Sequence, residues 1–309
     1  MEIIHACPGD VVTGGPESIH KIVSTLAKIK GVNAKIWYID GGQPEPYKVY
    51  KCEYVTEVSQ DYDGVIIFPE IWANRVCDYP NAIKVISWFG VNAYKWHLKN
   101  KDDFGKFLGY NVIHLCVSKY AEQYVKSLGV PEDKILRLAC VLNAEYFKKY
   151  EEKERSDVIL YNPAKQTDFG RKVIKYGEEF RQFQFKPLEG LTIHEMAETM
   201  RGHKLYIDFG IFPGRERIPR EAVMCGCCVI TSNLGAARYY EDVCIPEQYK
   251  FDCELVDITP VLDTMEYILE NYEDCKWEWD EYRKNLINDK KILPKQCKEL
   301  VEKLKEMTP

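Results

Sequence analysis

Phe209-Gly210-Ile211-Phe212-Pro213-Gly214-Arg215-Glu216-Arg217-Ile218-Pro219-Arg220-Glu221-Ala222 is the stretch that decides how this chain is read. It follows an apolar run at 204–209 that reads as a strand. It leads into a short helix at 219–225, which Gly226 stops. Residues 227–232 are again apolar and read as the next strand. Strand, glycine-bearing turn, helix and strand in that order describe a βαβ unit with parallel strands. Gly214 lets backbone approach a ligand closely. Arg215, Arg217 and Arg220 offer charge-assisted contacts to a diphosphate, with Glu216 among them. Glu221, near the helix start, is placed to accept hydrogen bonds from ribose hydroxyls. The plain alternative is a charged helix start facing solvent. The glycine and two prolines at a strand–helix junction tip the reading toward a ligand site.

The same alternation extends outward. Residues 157–161 read as a strand that ends in Asn162-Pro163-Ala164-Lys165, so Lys165 sits at a strand end. A helix at 168–180, a strand at 182–186 and a helix opened by the Thr192-Ile193-His194-Glu195 capping box follow. Further helices are expected at 260–270 and 293–307, and Trp277 and Trp279 read as packing residues just before the latter. In the first half, a strand at 1–7 leads through Gly14-Gly15-Pro16-Glu17 into a helix at 16–30. Strands at 35–39, 65–68, 84–89, 112–118 and 134–139 follow, and Ser118 caps a helix running to Leu128. The charged run 148–155 cannot bury itself and reads as a linker. The expectation is therefore an α/β protein of two facing Rossmann-like domains, with parallel sheets and an inter-domain cleft. Residues 1–150 are expected to form the first domain, 156–290 the second, with the nucleotide site, and 291–309 a C-terminal helix.

Composition narrows the function. The chain has 309 residues and a formal net charge of −6, with a pI near 5.7, which speaks against a dedicated nucleic-acid partner. No apolar run is long enough to span a membrane, and the N-terminus has no basic region of the signal-peptide kind. A cytoplasmic protein with at most peripheral contact with the inner face of a membrane is expected. Several of the 12 cysteines sit inside apolar runs, as buried thiols do in reducing compartments. The Cys225-Gly226-Cys227-Cys228 cluster has no second pair at zinc-like spacing, so no metal is expected there. Asp61-Tyr62-Asp63 marks a solvated strand entrance better than a metal site.

These motifs, in this order, resemble the retaining GT-B glycosyltransferases that build bacterial polysaccharides, of the glycosyltransferase family 4 type. Gly14-Gly15-Pro16-Glu17 is similar to their early G-G-x-E turn. The stretch from Val117-Ser118-Lys119-Tyr120 to Lys134-Ile135 is similar to their V-S-x-Y … L-G-V-P-x-x-K-I. Residues 143–147 resemble a shortened N-G-V-D-x-x-x-F, Tyr161-Asn162-Pro163-Ala164-Lys165 their P-x-K turn, and 218–230 their E-A-x-x-x-G-x-P-V-I block. Two departures stand out: Pro213 occupies the place of an outer glutamate, and Ser87-Trp88-Phe89-Gly90 replaces a histidine-bearing turn.

The resemblance implies transfer of a hexosyl or deoxyhexosyl group from a nucleoside-diphosphate sugar, without obligatory metal and with no cofactor beyond that co-substrate. Lys165, Arg217 and Glu216 are the implied catalytic residues. Gly14, Gly15, Gly214, Arg215, Arg220 and Glu221 would bind the donor. Trp88, Asn92, Tyr94 and His97 would line the side of the acceptor, a glycan or lipid-linked saccharide. Two alternatives stay open: a non-catalytic nucleotide- or glycan-binding protein of the same fold, and a phage-type enzyme that glycosylates modified DNA bases.

Overall fold

The computed structural model describes residues 1–91, 111–151 and 153–307. The chain divides into two compact units, Met1–Val141 with Asp289–Pro309, and Leu142–Asn288.

In the first unit, seven strands form one sheet. They are β1 (Glu2–Pro8), β2 (Asn33–Ile39), β3 (Glu53–Val55), β4 (Val65–Pro69), β5 (Ile83–Trp88), β6 (Val112–Cys116) and β7 (Ile135–Arg137). Their order is β3-β2-β1-β4-β5-β6-β7, with every neighbouring pair parallel. Helix α1 (Gly14–Leu26) turns Ile19, Ile22, Val23 and Leu26 inward, at the spacing of one helical face. Each such side chain contributes about 1.5–3 kcal/mol by leaving water. Helix α2 (Lys119–Ser127) starts at Ser118, whose hydroxyl accepts from the Ala121 amide at 3.0 Å. The last helix, Asp280–Glu306, is longer than expected. Its Leu293, Cys297, Leu300 and Leu304 share the core of α1.

The second unit holds five parallel strands: β8 (Ile159–Tyr161), β9 (Phe185–Pro187), β10 (Leu205–Asp208), β11 (Cys228–Ser232) and β12 (Lys250–Phe251). Their order is β12-β11-β10-β8-β9. Helix α3 (Asp168–Arg181) is capped by Thr167, and α4 (Ile193–Arg201) carries the full Thr192–Glu195 capping box. Helices α5 (Arg217–Met224) and α6 (Thr259–Glu270) complete the layers.

Two expectations need correcting. The charged run 148–155 is not a free tether. The Arg155 guanidinium donates to the carbonyls of Met200, His203 and Cys225, and the Tyr150 hydroxyl donates to Cys225 O at 3.0 Å. A guanidinium holds several backbone carbonyls at once, which ties this stretch into the second unit. Of the two tryptophans, Trp279 is buried, donates its indole N–H to Val229 O and stacks on Tyr249. Trp277 is 61% exposed and packs nothing comparable.

Candidate functional site

Each sheet reverses its strand order once, between β1 and β4 in the first unit and between β8 and β10 in the second. Crossover connections leave in opposite directions at such a point, which opens a crevice at the carboxyl ends of the strands. The predicted residues of the second unit fall at its reversal.

Lys165 ends a short turn, Pro163–Lys165, directly after β8, which the Asn162 side chain caps by accepting from the Ala164 amide. The arginine-bearing loop follows β10 and is held from several sides. The Thr167 hydroxyl donates to Phe209 O at 2.9 Å, and the Ser232 hydroxyl donates to Gly210 O at 2.6 Å. The Ala236 amide donates to Phe212 O at 2.8 Å. Gly235 makes this last contact possible. Its φ is +60°, and a Cβ there would lie 2.1 Å from Phe212 O.

The charges on this scaffold are interlocked. Lys165 forms an ion pair with Glu216, the residue just before α5. Burial lowers the Lys165 pKa, and the nearby Asp208 opposes that shift. Asp208 ends β10 and is itself buried, accepting from the Tyr206 hydroxyl at 2.9 Å and the Gly210 amide at 3.0 Å. Burial raises its pKa against those two bonds and against the Lys165 charge. Arg217 Nε donates to Glu221 Oε1 at 3.0 Å, one turn along α5. Glu221 is only 3% exposed, and next to burial its charge is the strongest influence holding the Tyr146 hydroxyl above its ordinary pKa.

Arg220 departs from expectation. It is 1% exposed, and its guanidinium donates to the carbonyls of Glu216 and Arg215. Those two bonds fix the loop's backbone. Arg215 and Arg217 are partly accessible, and Gly214 is buried in the loop.

In the first unit, Gly14 and Gly15 form the first turn of α1. Thr13 provides no side-chain cap, and the space beside Gly15 is open. The first amides of a helix have no partner within it, which leaves those of Gly14 and Gly15 available to a ligand or to water. Glu17 of the same motif is buried, paired with Lys21 at 2.9 Å and accepting from the Tyr50 hydroxyl at 2.6 Å. Trp88, expected on the acceptor side, is turned into its own sheet. It is buried, donates to His114 Nδ1 at 2.9 Å and stacks on that ring. Asn92, Tyr94 and His97 lie outside the described residues. Asp61 and Asp63 are exposed on the turn before β4.

Sequence reading missed three residues here. Asp208 was legible as an acid closing an apolar strand, Leu205–Asp208, at the point where ligands bind. Gly235 carried only the weak signal of a glycine after a strand. Glu70 follows β4 at the first reversal point and accepts from the amides of Phe89 at 3.1 Å and Gly90 at 2.8 Å. Burial pushes its pKa up to about 7.

With this geometry in view, the chain can be set beside solved structures. A glycosyltransferase from Rickettsia africae superposes with a TM-score of 0.68 at 16% identity, over 99% of this chain and 98% of that one. HepE from Anabaena, solved with UDP-glucose, gives 0.64 at 10% identity over 98% and 99%. Sucrose-phosphate synthase from Thermosynechococcus elongatus gives 0.65 at 12% identity over the full length of both chains. The fold is GT-B. At these identities the fold is what is shared. No protein-family model matches the chain, and no curated protein matches it closely enough to mark a relative. Among the described residues, no helix of this GT-B protein is long and apolar enough to cross a membrane.

Proposed function

We propose that the protein transfers a hexosyl or deoxyhexosyl group, with retention, from a nucleoside-diphosphate sugar to a saccharide acceptor. The observation that carries this reading is the charge array at the β8–β10 reversal: Lys165, Asp208, Glu216 and Arg217 on a clamped loop. The solved complexes of HepE with UDP and UDP-glucose favour a uridine donor as the first to test. When the sugar leaves, negative charge grows on the diphosphate. A lysine at a strand end stabilises that charge. In the free protein Glu216 holds Lys165, so an incoming phosphate replaces one anion by another and the lysine never loses a partner. Asp208 beneath it favours the charged ammonium. Gly14 and Gly15 supply backbone amides to the donor, and Glu221 holds its ribose. Lysine and arginine take the place of a metal, and the acceptor is a glycan or lipid-linked saccharide.

The test is a thermal-shift panel of UDP-, GDP-, CMP- and dTDP-sugars, followed by transfer and donor hydrolysis with and without EDTA. A donor that binds the folded state raises the melting temperature, and turnover should survive chelation. No shift with any donor would overturn the reading. A shift without turnover would favour a binding protein, the reading suggested by Pro213 in place of the outer glutamate.

A further inference from the structure

Trp277 takes no part in the charge array at the β8–β10 reversal. It is 61% exposed, and the expected packing role falls to Trp279 alone. It borders a cavity of about 220 Å³ in the second unit, together with Lys153, Arg155, Tyr272, Lys276 and Arg283. Arg155 lies just before β8 and donates to His203 O, just before β10. The cavity therefore opens at the amino ends of the strands, opposite Lys165 and Asp208.

Its charge is not balanced. Arg283 pairs with Asp280, and Lys276 with Glu273 at 2.7 Å. Arg155 is satisfied differently: Nη1 donates to Met200 O and His203 O, and Nη2 to Cys225 O and the Tyr150 hydroxyl. Carbonyls and a hydroxyl fill its donors but leave its charge uncompensated. Among the described residues neither Arg155 nor Lys153 has a carboxylate partner. Glu273 and Asp280 also line the cavity, so among the described residues two of its four cations are left without a counter-ion, in a chain whose net charge is −6. The site is also built to keep Arg155 where it is. Gly226 has φ +91°, and a Cβ there would lie 2.3 Å from Arg155 Nη2. On the rim, Lys276 Nζ stands 4.9 Å from the Trp277 ring centroid, which leaves indole surface open to a second ring.

We propose that this cavity binds a phosphate-bearing sugar. Lys153 donates to the phosphate, Arg155 supplies charge behind it, and the sugar ring lies against Trp277. A cavity of this volume is smaller than a pocket for a drug-sized ligand and suits one ring with its phosphate. The site is separate from the donor site and does not depend on the proposed transfer activity.

Glucose 1-phosphate is the probe, titrated calorimetrically into the full chain with UDP present at saturation so that the strand-end site is filled. Saturable binding is expected, weakened about tenfold or more in Lys153→Glu and in Trp277→Ala, with melting temperatures within a degree or two of the parent. Inorganic phosphate and glucose alone should each bind at least tenfold more weakly. Absence of saturable binding, or equal affinity in both variants, overturns the site. Equal affinity for inorganic phosphate overturns the sugar contact. If UDP itself fails to bind, the proposed transfer activity is what fails, and the glucose 1-phosphate titration still reads this cavity.

Discussion

The two strand-order reversals have the same topology and opposite chemistry. At β8–β10 side-chain charges are held in pairs, Lys165 with Glu216 and Arg217 with Glu221. At β1–β4 the turn offers backbone amides at Gly14 and Gly15, and the carboxylate that follows β4, Glu70, is buried on two amides of its own unit. Parallel-sheet topology alone thus places a crevice, and the residues after each strand decide what the crevice does. Matched charges hold a loop ready for an anion that must displace one of them. Free amides at a helix start accept an anion with no rearrangement.

If that contrast is right, the largest effect belongs to Lys165. Lys165→Ala should lower turnover with a UDP-sugar about 10²- to 10³-fold, the usual consequence of removing one preorganised stabiliser of a leaving anion. Its melting temperature should hardly move, because a half-exposed pair is worth about 1 kcal/mol at most. Turnover within a factor of three of the parent, measured on protein that melts normally, would erase the distinction between the two crevices.

Next in size is a pH effect confined to the first unit. Glu70 titrates near 7 when folded, against an ordinary value of 4.5. The folded state therefore holds a proton that the unfolded chain gives up, and stability contributed by this group falls as pH rises from about 4.5 to 7. The shift corresponds to roughly 3 kcal/mol at most. His5 acts the other way. Burial lowers its pKa to about 4, so its contribution is lost as pH falls from 6.5 toward that value. Denaturation of the parent and of Glu70→Gln, taken from pH 5 to 8, separates the two. The difference between the proteins should shrink or reverse as pH rises, and a constant difference would show that Glu70 stays ionised.

Glu221→Gln should come third. A charge-assisted hydrogen bond is worth about 1.5–3 kcal/mol, so donor affinity should fall about 10- to 100-fold. Because Glu221 also anchors Arg217, melting should drop as well. Affinity measured well below the melting transition isolates the ligand effect. Unchanged affinity there would reduce Glu221 to a partner of Arg217.

How much of this was readable from residues differs by physical cause. Periodicity and capping carry local information, and they placed α2, α3 and α4 to within a few residues, including the Ser118 and Thr192 caps. Lys165 and the Arg217–Glu221 segment were legible because strand-end position and charge sit together in sequence. Arg220 was not, because its direction depends on the fold: the same guanidinium that could grip a phosphate grips the carbonyls of Glu216 and Arg215. The direction of Trp88 was hidden for the same reason, its indole being turned to His114 across neighbouring strands. Edge strands β3 and β12, three and two residues long, have no periodicity to read.

The smallest expected effect is the one that separates ligand glycine from structural glycine. Gly235→Ala should cost about 1–3 kcal/mol, because it puts a side chain into a backbone conformation that glycine alone tolerates, against Phe212 O. Gly15→Ala should cost nothing in the free protein. Gly15 sits in the first turn of α1, and nothing lies within 4 Å of where its Cβ would be. Alanine favours the helix by up to about 1 kcal/mol over glycine, less in a first turn, so melting should stay level or rise slightly. The new methyl would nonetheless stand in the open space through which an anion reaches the Gly14 and Gly15 amides. Donor binding should therefore weaken about threefold to tenfold, the loss of part of one hydrogen bond, while stability holds or improves. A glycine kept only for its backbone would give the reverse pattern, a lower melting temperature and unchanged binding. That result for Gly15→Ala would move the whole donor site to the second unit.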